Sequence, residues 1–391
     1  MELIYENVLH LLRTALWEGP KNLSAAEKDF EIMKQQAVSG LTGKILSEIA
    51  MPDELRKDWE KNVLQLLSYY VNNRYAEQHL PISVPYVILK GSAAAQYYPY
   101  PEGRTMGDID LMTRPEDFAV ACESLVQNGW EDSTQKEEAV RGRHRTYRKN
   151  GITLEAHRFF SVFSDPEKAE MMDSLIRDHI PDVSENSHRL PDLINGLVLI
   201  EHIYQHLRGG LGLRQIIDWM MYSDKCLSDE KWPEFKQMAE KVGMLPLVLT
   251  VTRMCEKYLG LREHVWCAET DEKTCDLLMD YILSNGNFGR AADEKEKVAV
   301  YRLGMLRHPI LMIRELQKRA KMNRDADEKG KTHLLAWTGE GLRLMKTGPN
   351  LAKYYARERE MQGIFRTLGL NLEDKSKIYY EDGKYIKRTP K

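Results

Sequence analysis

No stretch of this chain approaches the roughly 20 consecutive apolar residues that span a bilayer, so the sequence offers no membrane segment. No secretory leader is expected either. The opening MELIYENVLHLLRTALWEGP places Glu2 and Glu6 ahead of any basic residue, the reverse of the charge such a leader needs. These two absences point to the cytoplasm. Cysteine is scarce, five in 391 residues, and Cys122, Cys226, Cys255, Cys267 and Cys275 form no C-x-x-C pair. An odd, scattered set excludes a disulfide frame and suits buried thiols in a reducing compartment. His264 lies near Cys267 and Cys275, but the spacing fits no zinc pattern. Repeats and low-complexity tracts are absent too.

Net charge is low, at −3, and unevenly spread. Residues 301–391 hold 21 Lys and Arg against 11 Asp and Glu, a balance of +10, which leaves −13 on the first 300. An acidic body with a basic C-terminal quarter implies either an anionic partner or contact between the two parts. With 42% hydrophobic and 29% charged residues the composition is that of a folded globular protein with a sizeable core.

Texture along the chain divides it into four segments: 1–80, 81–165, 166–290 and 291–391. The first reads as helical, with Leu3, Val8, Leu11, Leu12 and Leu16 at helical spacing and a long run ending before Pro81. From Pro85 the pattern changes. YVILKG is a buried strand by composition and length, SAAAQYY opens a helix with Ser92 as its cap, and DIDLMT is a second strand. PEDFAVACESLVQNGW is a helix begun by proline, and RHRTYRKNGITLEAHRFF is a hairpin turning at Asn150-Gly151. Beyond residue 165 the chain reads as successive helices without strands, closing on an irregular tail, EDKSKIYYEDGKYIKRTPK. The fold class is α+β: a small mixed-sheet core embedded in a largely helical protein.

Chemistry concentrates in the second segment. On a strand, residues two apart project from one face, so Asp108 and Asp110 point the same way while Ile109 enters the core. Paired carboxylates repel unless a cation lies between them. Mg²⁺, with Mn²⁺ as the alternative, relieves that repulsion and suits hard oxygen ligands, and a pair of such ions forms the clamp used in phosphoryl and nucleotidyl transfer. A third carboxylate, Glu155, sits on a later strand between Leu154 and Ala156. Gly91 lets backbone approach a phosphate closely, and Ser92 begins a helix whose amides can bind one.

The stretch VILKGSAAAQYYPYPEGRTMGDIDLM resembles the signature of an uncharacterised nucleotidyltransferase branch of the DNA-polymerase-β-like superfamily. The resemblance is close over residues 85–160 and looser over NGLVLIEHIYQHLRGGLGLRQIIDW. It implies that Gly91 and Ser92 form the nucleotide loop, that Asp108 and Asp110 bind metal, and that Glu155 is the third catalytic acid. Two departures stand out: 15 residues separate Ser92 from Asp108, and Ala93-Ala94 follow the serine. The implied activity is transfer of a nucleoside monophosphate from an NTP, such as ATP, to an acceptor hydroxyl, on a minimal mixed-sheet nucleotidyltransferase core.

Lys90 and Arg104 flank the expected phosphate site as cations for a triphosphate; Arg145 and Arg148 are weaker candidates. His157 shares the face of Glu155 and reads first as a packed histidine. His202 and His206, four apart, have the spacing of a helical metal pair but lack the H-E-x-x-H pattern. Arg214 and Asp218 read as an intrahelical ion pair. The acceptor reads as a small molecule or polymer in preference to RNA, since the basic quarter carries no RNA-binding motif. Acceptor, base and oligomeric state stay open. Alternatives are a non-catalytic nucleotide-binding scaffold, an RNA-directed enzyme, and an interfacial membrane helix at LGMLRHPILMIRELQKRAKM.

Overall fold

Strand alternation over residues 86–157 produces a sheet with two unlike faces. The computed structural model describes residues 3–17, 19, 22–181, 188–207, 210–287, 362–363, 365–368, 377–381 and 384–388. Residues 1–290 and 367–391 group into one compact unit, and 291–366 into another. The basic segment expected at the C-terminal quarter, Lys318 and Arg324 included, lies outside the described residues, as does the interfacial-helix reading.

The first unit begins with α1 (Leu3–Trp17), β1 (Leu23–Ser24), α2 (Glu27–Gln35), a 3-10 stretch, β2 (Ile49–Ala50) and the long α3 (Asp53–Gln78). β3 (Tyr86–Leu89), α4 (Gly91–Ala95), β4 (Ile109–Thr113), α5 (Phe118–Gln127), β5 (Glu131–Asp132), α6 (Lys136–Arg141), β6 (His144–Lys149) and β7 (Ile152–His157) follow. The helices α7 (Pro166–Arg177), α8 (Asp192–His206), α9 (Leu213–Cys226), α10 (Trp232–Lys241), α11 (Leu245–Leu259) and α12 (Glu272–Asn285) complete the main run. The N-terminal helix packs on this last group: Arg13 and Trp17 donate to the carbonyls of Tyr258 and Leu259.

The sheet order is β3-β4-β7-β6-β5. β4 runs antiparallel to β3 and parallel to β7, so the sheet is mixed and the fold α+β. Asn150 and Gly151 both take positive φ, 50° and 78°, as a two-residue hairpin turn requires. That turn fixes the β6–β7 register, from Lys149 opposite Ile152 to His144 opposite His157.

One face of the sheet is oily. Ile88, Ile109, Leu111, Tyr147, Leu154 and Ala156 pack there with Phe118, Ala121 and Leu125 of α5. Since successive strand residues alternate faces, Asp110, Glu155, His157 and His144 all fall on the other. α8 and α9 stand over that second face. They approach closely at Gly196, where an added Cβ would lie 2.3 Å from the Tyr222 ring.

Three local expectations are corrected. α5 starts at Phe118, three residues after Pro115, because Arg114–Asp117 form a turn first. Ser92 is not a cap: the N-cap of α4 is Lys90, and the Ser92 hydroxyl donates to Glu77 of α3 at 2.5 Å. The C-terminal tail is not irregular. β8 (Lys377–Glu381) and β9 (Lys384–Arg388) form an antiparallel hairpin, and the Tyr385 hydroxyl donates to the buried Asp173 of α7. Among the described residues no helix is long and apolar enough to cross a membrane.

Candidate active site

Where β3 ends, the chain makes a strained turn that aims a lysine back across the sheet. Lys90 has φ 52° and ψ −140°, and Gly91 after it has φ 36°. A non-glycine residue in such a conformation costs on the order of 1–3 kcal/mol, which persists only where surrounding contacts hold it. Here the contact is ionic: Lys90 Nζ lies 2.8 Å from Asp110 Oδ1, with both side chains buried.

Asp110 is the register partner of Glu155 across the parallel β4–β7 ladder. Asp108 precedes β4 at the solvent-exposed lip. Oxygens of Asp108, Asp110 and Glu155 all lie within 4.8 Å of one another. The structure thus brings the three expected acids together on the polar face. The charge of Asp110 and then burial push the Asp108 carboxyl up to about 6. Burial works against ionised Asp110, but Lys90 and the His157 hydrogen bond outweigh it and hold its pKa below the usual carboxylate range. Glu155 is held low in the same way, burial being outweighed by His157, His144 and Lys90.

His157 Nε2 lies 2.9 Å from Asp110 Oδ1 and 3.5 Å from Glu155 Oε2. Burial would lower this imidazole, yet its hydrogen bonds to Asp110 and Glu155 raise its pKa. It is packed, as expected, and also hydrogen-bonded into the acidic cluster. His144, opposite it, was not singled out from the sequence.

A cleft of about 250 Å³ opens on this face, bounded by Lys90, Gly91, the three acids, Arg143, His144, and by His202, Gln205, His206 and Arg214 from α8 and α9. The expected nucleotide-loop residues therefore separate. Gly91 and Lys90 line the cleft, whereas Ser92, bonded to Glu77, does not. Arg104 borders the cleft, but its guanidinium is committed elsewhere: Nε and Nη2 reach the two oxygens of Asp218, each at 2.6 Å, and Tyr98 donates to the same carboxylate at 2.7 Å. Asp218 thus takes Arg104, 114 residues away, as its bidentate partner. Arg214 lines the cleft and donates to the Thr105 carbonyl at 3.3 Å. Burial and then the Arg104 charge lower its pKa to about 10.

Arg145 faces away and pairs with Asp132 at 2.9 Å. The Nε2 atoms of His202 and His206 approach to 3.0 Å. Burial, and then the His206 charge, lowers His202, while burial and Lys90 lower His206 to about 4. Cys267 donates to Glu256, and neither it nor Cys275 joins a three-ligand metal grouping among the described residues. A larger depression, about 690 Å³, is lined by Arg114, Arg189 and Asp192 and by none of the three acids.

A family model described as uncharacterised nucleotidyltransferase matches residues 26–260, well over half of the chain and all of the sheet. The chain belongs to that family. Nucleotidyl transfer is the chemistry by which this nucleotidyltransferase family is described, and an NTP is the substrate that description implies. No curated protein and no solved structure matches the chain. The match takes in α2 through α11, so the helices that wall the cleft belong to the family region together with its acids.

Proposed function

We propose that the cleft transfers a nucleoside monophosphate from an NTP to an acceptor hydroxyl, releasing pyrophosphate. The observation that supports this best is the convergence of Asp108, Asp110 and Glu155 within 4.8 Å on the polar face of the sheet. These oxygens fit Mg²⁺ or Mn²⁺: all are hard donors, and the pressure of Asp110 on Asp108 is a repulsion that a divalent cation relieves. Asp108 and Asp110 would hold metal, with Glu155 completing the set. A bound pair of such ions would supply charge neutralisation and Lewis acidity.

The chain's own groups do the rest. Lys90, paired with Asp110, and Arg143 and Arg214 add cationic groups to the cleft lining, suited to a polyphosphate. The 250 Å³ volume is below the roughly 300–1,000 Å³ of small-molecule pockets, so the cleft takes the phosphates while base and sugar extend outward. In the reaction the acceptor hydroxyl gives its proton to solvent as its oxygen bonds the α-phosphorus, the bond from that phosphorus to the α,β-bridging oxygen breaks, and pyrophosphate departs with that oxygen. The acceptor is a small molecule or polymer bearing a hydroxyl, and the setting is the cytoplasm.

The test is incubation of the purified chain with each α-labelled NTP, Mg²⁺ and a fractionated cell extract. Label should appear on an acceptor together with pyrophosphate, and Asp110→Asn should abolish both. Undiminished label transfer by that variant would refute the assignment.

A further inference from the structure

We infer that His144, Glu155 and His157 form a second cation position, built for a borderline divalent transition metal such as zinc rather than for Mg²⁺. The hairpin places it. His144 is the register partner of His157, and Glu155 lies two residues before His157 on the same strand, so all three project from the polar face. A ring nitrogen of each histidine and an oxygen of Glu155 lie within 4.8 Å of one another.

His144 carries the argument. It is 92% buried, at 8% exposure, yet its Nδ1 has no hydrogen-bond partner among the described residues. Nε2 stops 3.8 Å from Glu155 Oε1, and Nδ1 stops 3.8 Å from Glu138 Oε2. A buried imidazole left in this way is unusual, because buried polar groups are normally satisfied. The 3.8 Å separation is too long for a hydrogen bond. Tetrahedral coordination with bonds of about 2.0–2.1 Å places nitrogen and oxygen about 3.3 Å apart, so these two donors would close by about 0.5 Å around an ion.

On the outer side a carboxylate lies near, though at 3.8 Å it makes no hydrogen bond. Metal-binding histidines characteristically turn their second nitrogen toward a carboxylate that orients the ring. Glu138 stands on that side of His144 and is itself held by Arg141 at 3.0 Å. Two imidazoles and one carboxylate select a borderline transition metal, whereas the neighbouring all-oxygen set suits Mg²⁺. Three protein ligands leave a further coordination position facing the cleft. Glu155 belongs to both sets, so occupation of one is felt by the other.

The experiment uses the full chain, stripped with a chelator and titrated with Co²⁺ as a spectroscopic stand-in for zinc, without nucleotide. Visible absorption should report imidazole ligation. His144→Gln should weaken Co²⁺ binding about tenfold or more and change Mg²⁺ affinity far less; Asp108→Asn should do the reverse. In the unmutated chain, ring ¹⁵N shifts of His144 and His157 should move to metal-bound values on adding Zn²⁺. Unmoved ring nitrogens, or a folded His144→Gln that binds Co²⁺ as tightly as the parent, would overturn the inference. Because no NTP is involved, a failure of nucleotidyl transfer leaves this result intact, and the converse also holds.

Discussion

Arg104→Met separates two roles for one residue. If Arg104 were a triphosphate ligand, its loss would weaken nucleotide binding and leave stability alone. The structure places it instead in a bidentate pair with Asp218, at 3% and 1% exposure. Methionine keeps the length and apolar stem but takes from the Asp218 carboxylate its bidentate partner, leaving the Tyr98 hydrogen bond. Removing one partner of a buried pair typically costs about 3–5 kcal/mol. The unit that holds the pair comprises residues 1–290 and 367–391. At roughly 2 cal/mol/K per residue its unfolding entropy is about 0.65 kcal/mol/K, so the expected fall in Tm is about 5–8 °C. Asp218→Leu added to Arg104→Met should recover at least half of that, since an apolar pair of similar volume is often no worse than the buried ion pair. Calorimetry of the three variants, with isothermal titration of a non-hydrolysable ATP analogue, reads both roles at once. A Tm within about 1 °C of the parent, combined with tenfold weaker nucleotide binding, would show that Arg104 serves the phosphate.

Two further predictions use the buried acids. Asp108→Asn removes the carboxylate that Asp110 repels, so it should raise Tm above pH 6, whereas Asp110→Asn deprives buried Lys90 and His157 of their partner and should lower it; paired thermal melts decide, and equal shifts would contradict the electrostatic ranking. Glu201 is fully buried, and burial, then the Asp173 charge, raises its pKa from 4.5 to about 7 against the opposing pull of Arg143 and the Ser161 and Val162 hydrogen bonds. Its folded pKa exceeds the unfolded one, so its contribution is complete below pH 4.5 and is lost as pH rises through 7. Glu201→Gln, which cannot ionise, should therefore gain on the parent by up to on the order of 3 kcal/mol between pH 5 and 8; a pH-independent difference in urea unfolding would refute this.

Much of the site was legible because its spacing is local. The glycine turn, the D-x-D strand and the hairpin all lie within residues 86–157, and each follows from alternation and turn chemistry. His144 was legible in the same terms and was missed: a two-residue loop at Asn150-Gly151 already sets Lys149 opposite Ile152, and counting outward pairs His144 with His157. The C-terminal hairpin carried a similar signal, since Asp382-Gly383 between KIYYE and KYIKR is a hairpin dipeptide. Other features had no local signal. The pairing of Asp110 with Glu155 depends on a parallel register across intervening elements, and Arg104 meets Asp218 only through the tertiary fold. The i,i+4 spacing of Arg214 and Asp218 favoured a helical pair, but a fully buried carboxylate gains more from two hydrogen bonds to one guanidinium than from its neighbour along the helix.

The contact between Tyr385 and Asp173 has a consequence for how the chain is made. The two residues are 212 positions apart. A ribosome moving at 5–20 residues per second finishes Asp173 roughly 10–40 s before it reaches Tyr385. Asp173 also accepts the amides of Phe160 and Ser161, and the Tyr385 ring packs against Phe159. During that interval the segment leaving β7 has its carboxylate anchor but not its aromatic cover. The order of synthesis thus makes β9 a late piece that closes over the residues just beyond Glu155 and His157 after the sheet is made.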